Sequence, residues 1–413
     1  MRKPTTPEKM YLDFDGFFAS VEQYLAPPIR GRPVGIIPHV GSPTIIACSR
    51  EAKAAGVDNV MPVAEARRIC PELVLVPQQP DMYRRAHDFL ISEIGMVVPV
   101  DVVMSIDELS ASLDQVQQRE PEAVGRAIKT RIAAIFGDAI RCSLGYAANR
   151  QLAKMACKAG KPNGNLVWHP HDMPAPLLAL KLSDVPGIGS RMETRLNRAG
   201  VYTMADLLAL PAKQMRGLWG NVNGERMHYA LHGYELHAQK TQRGMFGHGK
   251  VLHPAHRRLD QVRPVSRTLL VKAARRLRRE GFSASRVMLF LDGKTGQWGR
   301  AGFLPAANDD HTILHGLESL WSAALLELPA GFLVVSVFVT LGELCRTDGR
   351  QLDLLAGAED KRRRLEAVTA AIDDINSRYR QTLVSVGIWS PPPGDYTGAK
   401  IAYTRIPRAE DFY

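Results

Sequence analysis

The segment MYLDFD, residues 10–15, constrains this chain more than any other: a short apolar run ending on two carboxylates spaced two apart. At the period of a strand, Asp13 and Asp15 share one face. FFASVEQYL follows at once with helical spacing, and Pro27 and Pro28 stop it. A second acidic pair sits in VVPVDVVMSIDELSASLD, which alternates into two strands around a turn with Asp107 and Glu108 near its apex.

The intervening segments follow the same two periods. RPVGIIP and SPTIIACS read as short β-branched strands, and EAKAAGV as a helical turn ended by Gly56. Arg84 to about Ile94 is helical, as is the stretch around Ala123 to Phe136. RCSLGYAAN is then a strand, and RQLAKMACKAG a helix closed by Gly160. Strand, helix, strand pair, helix, strand predicts an α+β sheet of ferredoxin-like type, with an insertion between roughly Val21 and Pro77.

A chain of 413 residues exceeds one core and predicts several domains. Residues 169–240 read as short helices, and a basic α/β segment runs from about Lys250 to Leu341. The tail after Gly342 holds QLDLL, a charged helix from about Glu359 to Arg378, and a final aromatic and basic stretch.

The net charge of +11 is local: from Lys250 to Arg300 there are thirteen Lys/Arg against three acids. A positive field confined to one segment suits a polyanionic partner, although a solvated charged face gives the same composition. No run of ~18 uncharged apolar residues is present, so no membrane span is expected, nor a secretory leader. The five cysteines lie far apart without ligand spacing, which predicts idle thiols in a reducing cytoplasm and no zinc site.

Clustered carboxylates on neighbouring strands supply the half-shell of hard oxygens that magnesium prefers. Phosphoryl transfer uses two such ions ~3.5–4 Å apart. Taken singly, each acidic strand end is also what a solvated turn looks like.

MYLDFDGFFASVEQ, SIDELSASLD, SLGYAANRQLAKMACKAGKPNG and VPGIGSRMETRL occur in the order and spacing of Y-family DNA polymerases. The chain resembles the bacterial DNA polymerase IV branch, strongly to about Ala199 and more loosely beyond. The resemblance implies a multidomain α+β right hand. Its catalytic palm would be 1–20 and 78–168, its small fingers 21–77, and its helix-hairpin-helix thumb 169–240. An α/β little finger would span 245–341, with a tail over 342–413. It further implies error-prone, lesion-bypassing addition of dNTP to a primer 3′-hydroxyl by a cytoplasmic monomer.

Carried over by motif, the two magnesium ions would be held by Asp13, Asp107, Glu108 and the Phe14 carbonyl, with Asp15 beside them. Phe18 would be the sugar gate, a ring that leaves no room for a ribose hydroxyl; ordinary core packing is the plainer role. Backbone amides from Gly16 through Phe17 to Phe18 would face the triphosphate, as would Lys161, a residue that otherwise complements a helix dipole. The family usually shows threonine, tyrosine and arginine where IIACSREAK has Ala47, Arg50 and Lys53. The last two are expected at the triphosphate in altered form.

For DNA, the resemblance implies a phosphate grip at Gly187 and Gly189 of VPGIG. It implies another along the helix from Val265, through Arg267, Lys272, Arg275 and Arg276, whose apolar stripe is Leu269, Leu270, Ala273, Ala274 and Leu277. Gln351, Leu354 and Leu355 resemble a sliding-clamp peptide. Two other readings remain open: a catalytically weak or inactive DNA-binding accessory of a mutagenesis complex, and a nucleotidyl cyclase.

Overall fold

The computed structural model describes the chain except residues 237–241, 351–357, 388–400, 402–405 and 413, and the side chain of residue 358. It divides into two compact units, Met1–Gln239 with Ile401–Ile406, and Lys240–Lys400 with Pro407–Tyr413.

The first unit opens with β1 (Lys9–Phe14) and α1 (Phe17–Leu25), followed by β2 (Val34–Ile37), β3 (Ala47–Cys48), α2 (Arg50–Ala54), α3 (Val63–Ile69) and β4 (Val74–Pro77). Next come α4 (Pro80–Gly95), β5 (Val100–Val103), β6 (Glu108–Ser112), α5 (Pro121–Phe136), β7 (Cys142–Ala147), α6 (Arg150–Ala159) and β8 (Asn165–Val167). Five short helices complete it: α7 (Ala175–Leu178), α8 (Ser190–Arg198), α9 (Met204–Ala209), α10 (Ala212–Trp219) and α11 (Val222–Leu231).

Five strands form one sheet in the order β5-β6-β1-β7-β8, with β1 central and antiparallel to both β6 and β7. Period two along β1 sorts its side chains between two cores. Met10, Leu12 and Phe14 pack with Leu90 and Ile94 of α4 and Ile128 and Ile132 of α5. Tyr11 points the other way, among Leu152, Ala153 and Met155 of α6. The expected ferredoxin-like arrangement is therefore present. The insertion folds as a separate three-stranded sheet, β3-β2-β4.

The second unit comprises β9 (Met245–Val251), α12 (Leu259–Arg279), β10 (Phe282–Gly293), β11 (Gln297–Ala307), α13 (Asp310–Glu327), β12 (Val334–Arg346) and α14 (Ala358–Tyr379). Its sheet runs β11-β10-β12-β9, and every pairing is antiparallel. The stripe Leu269, Leu270, Ala273, Ala274 and Leu277 of α12 is buried against Val287, Leu289, Val337, Val339 and Leu341 of the sheet and Trp321 of α13. On the opposite sheet face Phe290, Phe303 and Phe338 are exposed. The last strand continues to Arg346, past the Leu341 end read from the sequence, because Phe282 and Ala284 at the start of β10 pair with Arg346 and Leu344. Among the described residues, no helix is long and apolar enough to cross a membrane.

Candidate active site

Asp13, the penultimate residue of β1, is the direct cross-strand partner of Glu108, the first residue of β6. The Phe14 N–H donates to the Asp107 carbonyl at 2.9 Å, tying the strand end to the acidic turn. That turn is held from beneath by buried His87 of α4, whose Nδ1 lies 2.7 Å from the Ile106 carbonyl. Burial pushes the His87 pKa down, so the neutral ring donates there. Thus the turn and the strand end bring three carboxylates together at one end of the sheet's inner strands.

The negative charge concentrated there is expensive. Burial pushes the Asp13 carboxyl up, to about 7; Lys161 opposes this, and Asp107 and Glu108 add to it. The Lys161 ammonium hydrogen-bonds Asp13 and lies 3.8 Å from Asp15. Burial works against the Lys161 charge, but Asp13 outweighs it and raises the lysine. Lys154 of α6 donates to Glu108 at 2.7 Å and to the Tyr11 hydroxyl at 2.9 Å, and the Ser105 hydroxyl donates to Asp107 at 2.6 Å. Among the described residues, no three acid, histidine or cysteine groups form a ready cation cage. The two ammonium groups supply the positive charge this corner requires. A donor set of hard carboxylate oxygens, balanced here by two lysine ammonium groups, fits divalent cations.

At the junction that follows, Gly16 adopts φ 61°, which a side chain would strain, and precedes α1 without a side-chain cap. The first N–H groups of α1, at Phe17 and Phe18, have no partner within the helix. Phe18 is half-buried and stacks on Tyr83 of α4. The Tyr83 hydroxyl donates to Glu22 at 2.7 Å, and Gln79 donates to the other oxygen at 2.9 Å.

Arg50 starts α2 and reaches the Asp138 carbonyl at 3.4 Å, while its Nη1 is buried without a partner. Lys53, one turn on, is exposed, and Ala47 pairs with Ile36 inside the small sheet. In the hairpin before α8, Gly187 has φ 101° and both Gly187 and Gly189 are exposed. Val185 and Ile188 anchor the hairpin in the core behind it.

The cations of the basic helix are engaged within their own unit. Arg276 is 6% exposed and donates to the Gly247 carbonyl of β9 at 2.5 Å. Arg275 lies 3.3 Å from Asp373 of α14, and Lys272 donates to the Asp411 carbonyl at 3.4 Å. Arg267 packs beside Gly387. Arg278 bridges Asp310 and Asp373, both at 2.7 Å. Lys272, Arg275 and Arg276, expected to grip DNA, are thus engaged in this structure by the unit's own side chains and backbone, Arg275 through Asp373 of the charged helix α14. Gln351, Leu354 and Leu355 lie outside the described residues.

Sequence reasoning missed Lys154, Ser105 and Tyr83. Lys154 had a signal: it precedes Lys161 by seven residues, two helical turns, and Tyr11 shares the strand face of Asp13. Tyr83 had none, because only the fold brings α4 beneath Phe18.

Residues 12–158 match the model of the impB/mucB/samB family, and residues 244–354 match that of its C-terminal domain. The chain is 30% identical over 412 residues to a DNA polymerase IV of Moorella thermoacetica, covering 95% of this chain and 96% of that one. A DNA polymerase IV of Bacillus velezensis is 27% identical, covering 91% and 92%. Among solved structures, a Y-family DNA polymerase chimera, Dbh-Dpo4(243-245)-Dbh, superposes with a TM-score of 0.68 at 22% identity, over 82% of this chain and 99% of that one. The structure titled "Insertion ternary complex of Dbh DNA polymerase" superposes with a TM-score of 0.55 at 22% identity, over 81% and 98%. These two likenesses concern the fold.

Proposed function

The chain belongs to the impB/mucB/samB family, and from that premise we propose how its residues carry out the activity of a Y-family polymerase of the DNA polymerase IV kind. It is a DNA-directed DNA polymerase that performs template-directed, error-prone translesion synthesis, adding dNTP to a primer 3′-hydroxyl. The convergence of Asp13, Asp107 and Glu108 at one end of the inner strands β1 and β6 carries the reading of the site.

Asp13, Asp107, Glu108 and the Phe14 carbonyl would hold two magnesium ions. When bound, such ions activate the attacking hydroxyl and stabilise charge on the leaving pyrophosphate. The chain does the rest by positioning. Lys161 leaves its carboxylate partner to take the triphosphate as a point charge. The amide N–H groups of Gly16, Phe17 and Phe18 at the start of α1 donate to phosphate oxygens. Phe18 lies under the sugar and excludes a 2′-hydroxyl by contact alone. Arg50, whose Nη1 lacks a partner, reaches toward the same phosphates from the start of α2, with Lys53 one turn behind.

The five-stranded sheet and its helices, within 1–20 and 78–168, make the palm; the small sheet, within 21–77, makes the fingers; the short helices of 169–240 make the thumb. The second unit is the little finger, enlarged by the end of β12 and by α14. Gly187 and Gly189 present hairpin amides to a DNA phosphate. Gln351, Leu354 and Leu355 are the segment offered to a sliding clamp, and the polymerase acts as a monomer on primer–template DNA.

The test is primer extension with magnesium on plain and lesion-bearing templates. Extension past the lesion is expected. A protein that binds primer–template without extending it would instead favour the accessory reading.

A further inference from the structure

We propose that Asp15 is a positioning residue that fixes the turn Lys161–Gly164 and thereby aims Lys161 at the triphosphate. The inference rests on the role of Lys161 given above.

Asp15 lies two residues past Asp13, yet it is 4% exposed and turned into the protein. Its carboxylate accepts from the Ser143 hydroxyl at 3.0 and 3.1 Å and from the Asn163 N–H at 2.8 Å. Both oxygens are therefore engaged by neutral donors of the fold. Its backbone is equally fixed: the N–H donates to the Arg141 carbonyl at 2.9 Å, and the carbonyl accepts from the Ser20 hydroxyl at 2.9 Å. A carboxylate so committed is poorly placed to trade its partners for a metal ion or a phosphate.

The turn it holds is gripped from a second side. Lys129 of α5 donates to the Asn163 carbonyl at 2.5 Å and to the Asn163 side-chain oxygen at 3.1 Å. Asn163 is thus clamped at both backbone groups, by a carboxylate at its N–H and an ammonium at its carbonyl. Its φ of 55° is one that asparagine tolerates better than most residues. Next to it, a Cβ on Gly164 would lie 2.0 Å from the Gly160 carbonyl, so the turn sits flush against the end of α6. The Gly164 N–H donates to the Ser143 hydroxyl at 3.3 Å, closing the network.

Lys161 has a flexible four-carbon stem, and a point charge on such a stem is only as well aimed as its base. The turn supplies that base, two residues from the clamp. Removing the Asp15 carboxylate leaves the Ser143 hydroxyl and the Asn163 N–H without their acceptor, and the turn is free to drift. Loss of aim should then appear in nucleotide affinity before it appears in DNA affinity.

The experiment measures dNTP dissociation constants on a dideoxy-terminated primer–template for the unmodified protein, Asp15→Ala, Lys129→Met and Lys161→Ala. Each of the first two substitutions is also measured in the Lys161→Ala background. Asp15→Ala should weaken dNTP ~10-fold, the low end of the loss when a supporting partner is removed, and half-buried Lys129→Met less, ~3-fold. Primer–template affinity should stay within ~2-fold. In the Lys161→Ala background both effects should shrink below ~2-fold, since residues acting through one group are not additive. Lys129 is only half-buried, so its variant keeps the test open if Asp15→Ala does not fold. Undiminished loss in the Lys161→Ala background, or no loss in either single variant, overturns the proposal. Failure of the unmodified protein to extend a primer sinks the polymerase reading as well, and is distinguished by that control.

Discussion

The ring of Phe18 lies flat on the ring of Tyr83, with centroids 4.4 Å apart and planes 15° apart. Tyr83 is fully buried and its hydroxyl is tied to Glu22, itself 2% exposed. The proposed gate is therefore a ring backed by a second ring that is held in the core. Phe18→Ala should raise ribonucleotide incorporation at least ~10-fold, the scale on which steric pockets discriminate by one small group. Tyr83→Leu should give a smaller rise by letting the ring tilt. Unchanged sugar selectivity in Phe18→Ala would remove that residue from the gate.

Asp107 sits in the turn that β1 and His87 hold from two sides. Its replacement by alanine should cut primer extension by at least ~100-fold, the loss already expected when an outer partner of a metal site is removed. Primer–template affinity, measured by fluorescence anisotropy, should hardly change. Robust synthesis by Asp107→Ala would refute the proposed magnesium site.

The buried cations of α12 should report on stability rather than on DNA. Arg278→Ala strands Asp310, whose side chain is 3% exposed, and should cost the second unit ~3–5 kcal/mol, the usual result of orphaning a buried charge. Arg276→Ala should leave the slope of log affinity against log salt unaltered, whereas loss of a true phosphate contact lowers it by about 1. A slope change of that size in Arg276→Ala would restore it to the DNA surface.

Burial pushes the Lys272 ammonium down from its ordinary 10.5 to about 8, with Arg275 adding repulsion and Asp411 opposing. The folded chain thus releases this proton at about pH 8, while the unfolded chain keeps it to about 10.5. The group's penalty is in full force below pH 8, and folding gains stability as pH climbs from 8 to 10.5. Lys272→Met should melt higher than the unmodified protein at pH 7, and the gap should close through that window. A pH-independent gap in the melting temperatures would show that Lys272 is not the titrating group.

The alternation of β1 and the helical spacing that follows it were legible because they are local periods, and the acidic turn was legible because strand alternation breaks there. Lys161 and Phe18 were found through motif likeness, not through any period of their own. The charge of α12 was legible too, but its partners were not. A run of arginines shows charge, but whether that charge meets solvent or Asp373 depends on a helix about a hundred residues later.

By itself, then, the sequence determined the order of the elements, the strand that carries Asp13, the turn that carries Asp107 and leads into Glu108, and the apolar stripe of α12. Each depends on neighbours within a few residues, where backbone geometry and hydrophobic period act directly. Only the tertiary structure decided that Lys154 would reach Glu108, that Tyr83 would lie beneath Phe18, and that Asp15 would turn inward to hold Asn163. Those contacts join residues 46 to 148 positions apart, and their free energy exists only once the sheet has brought the distant segments together.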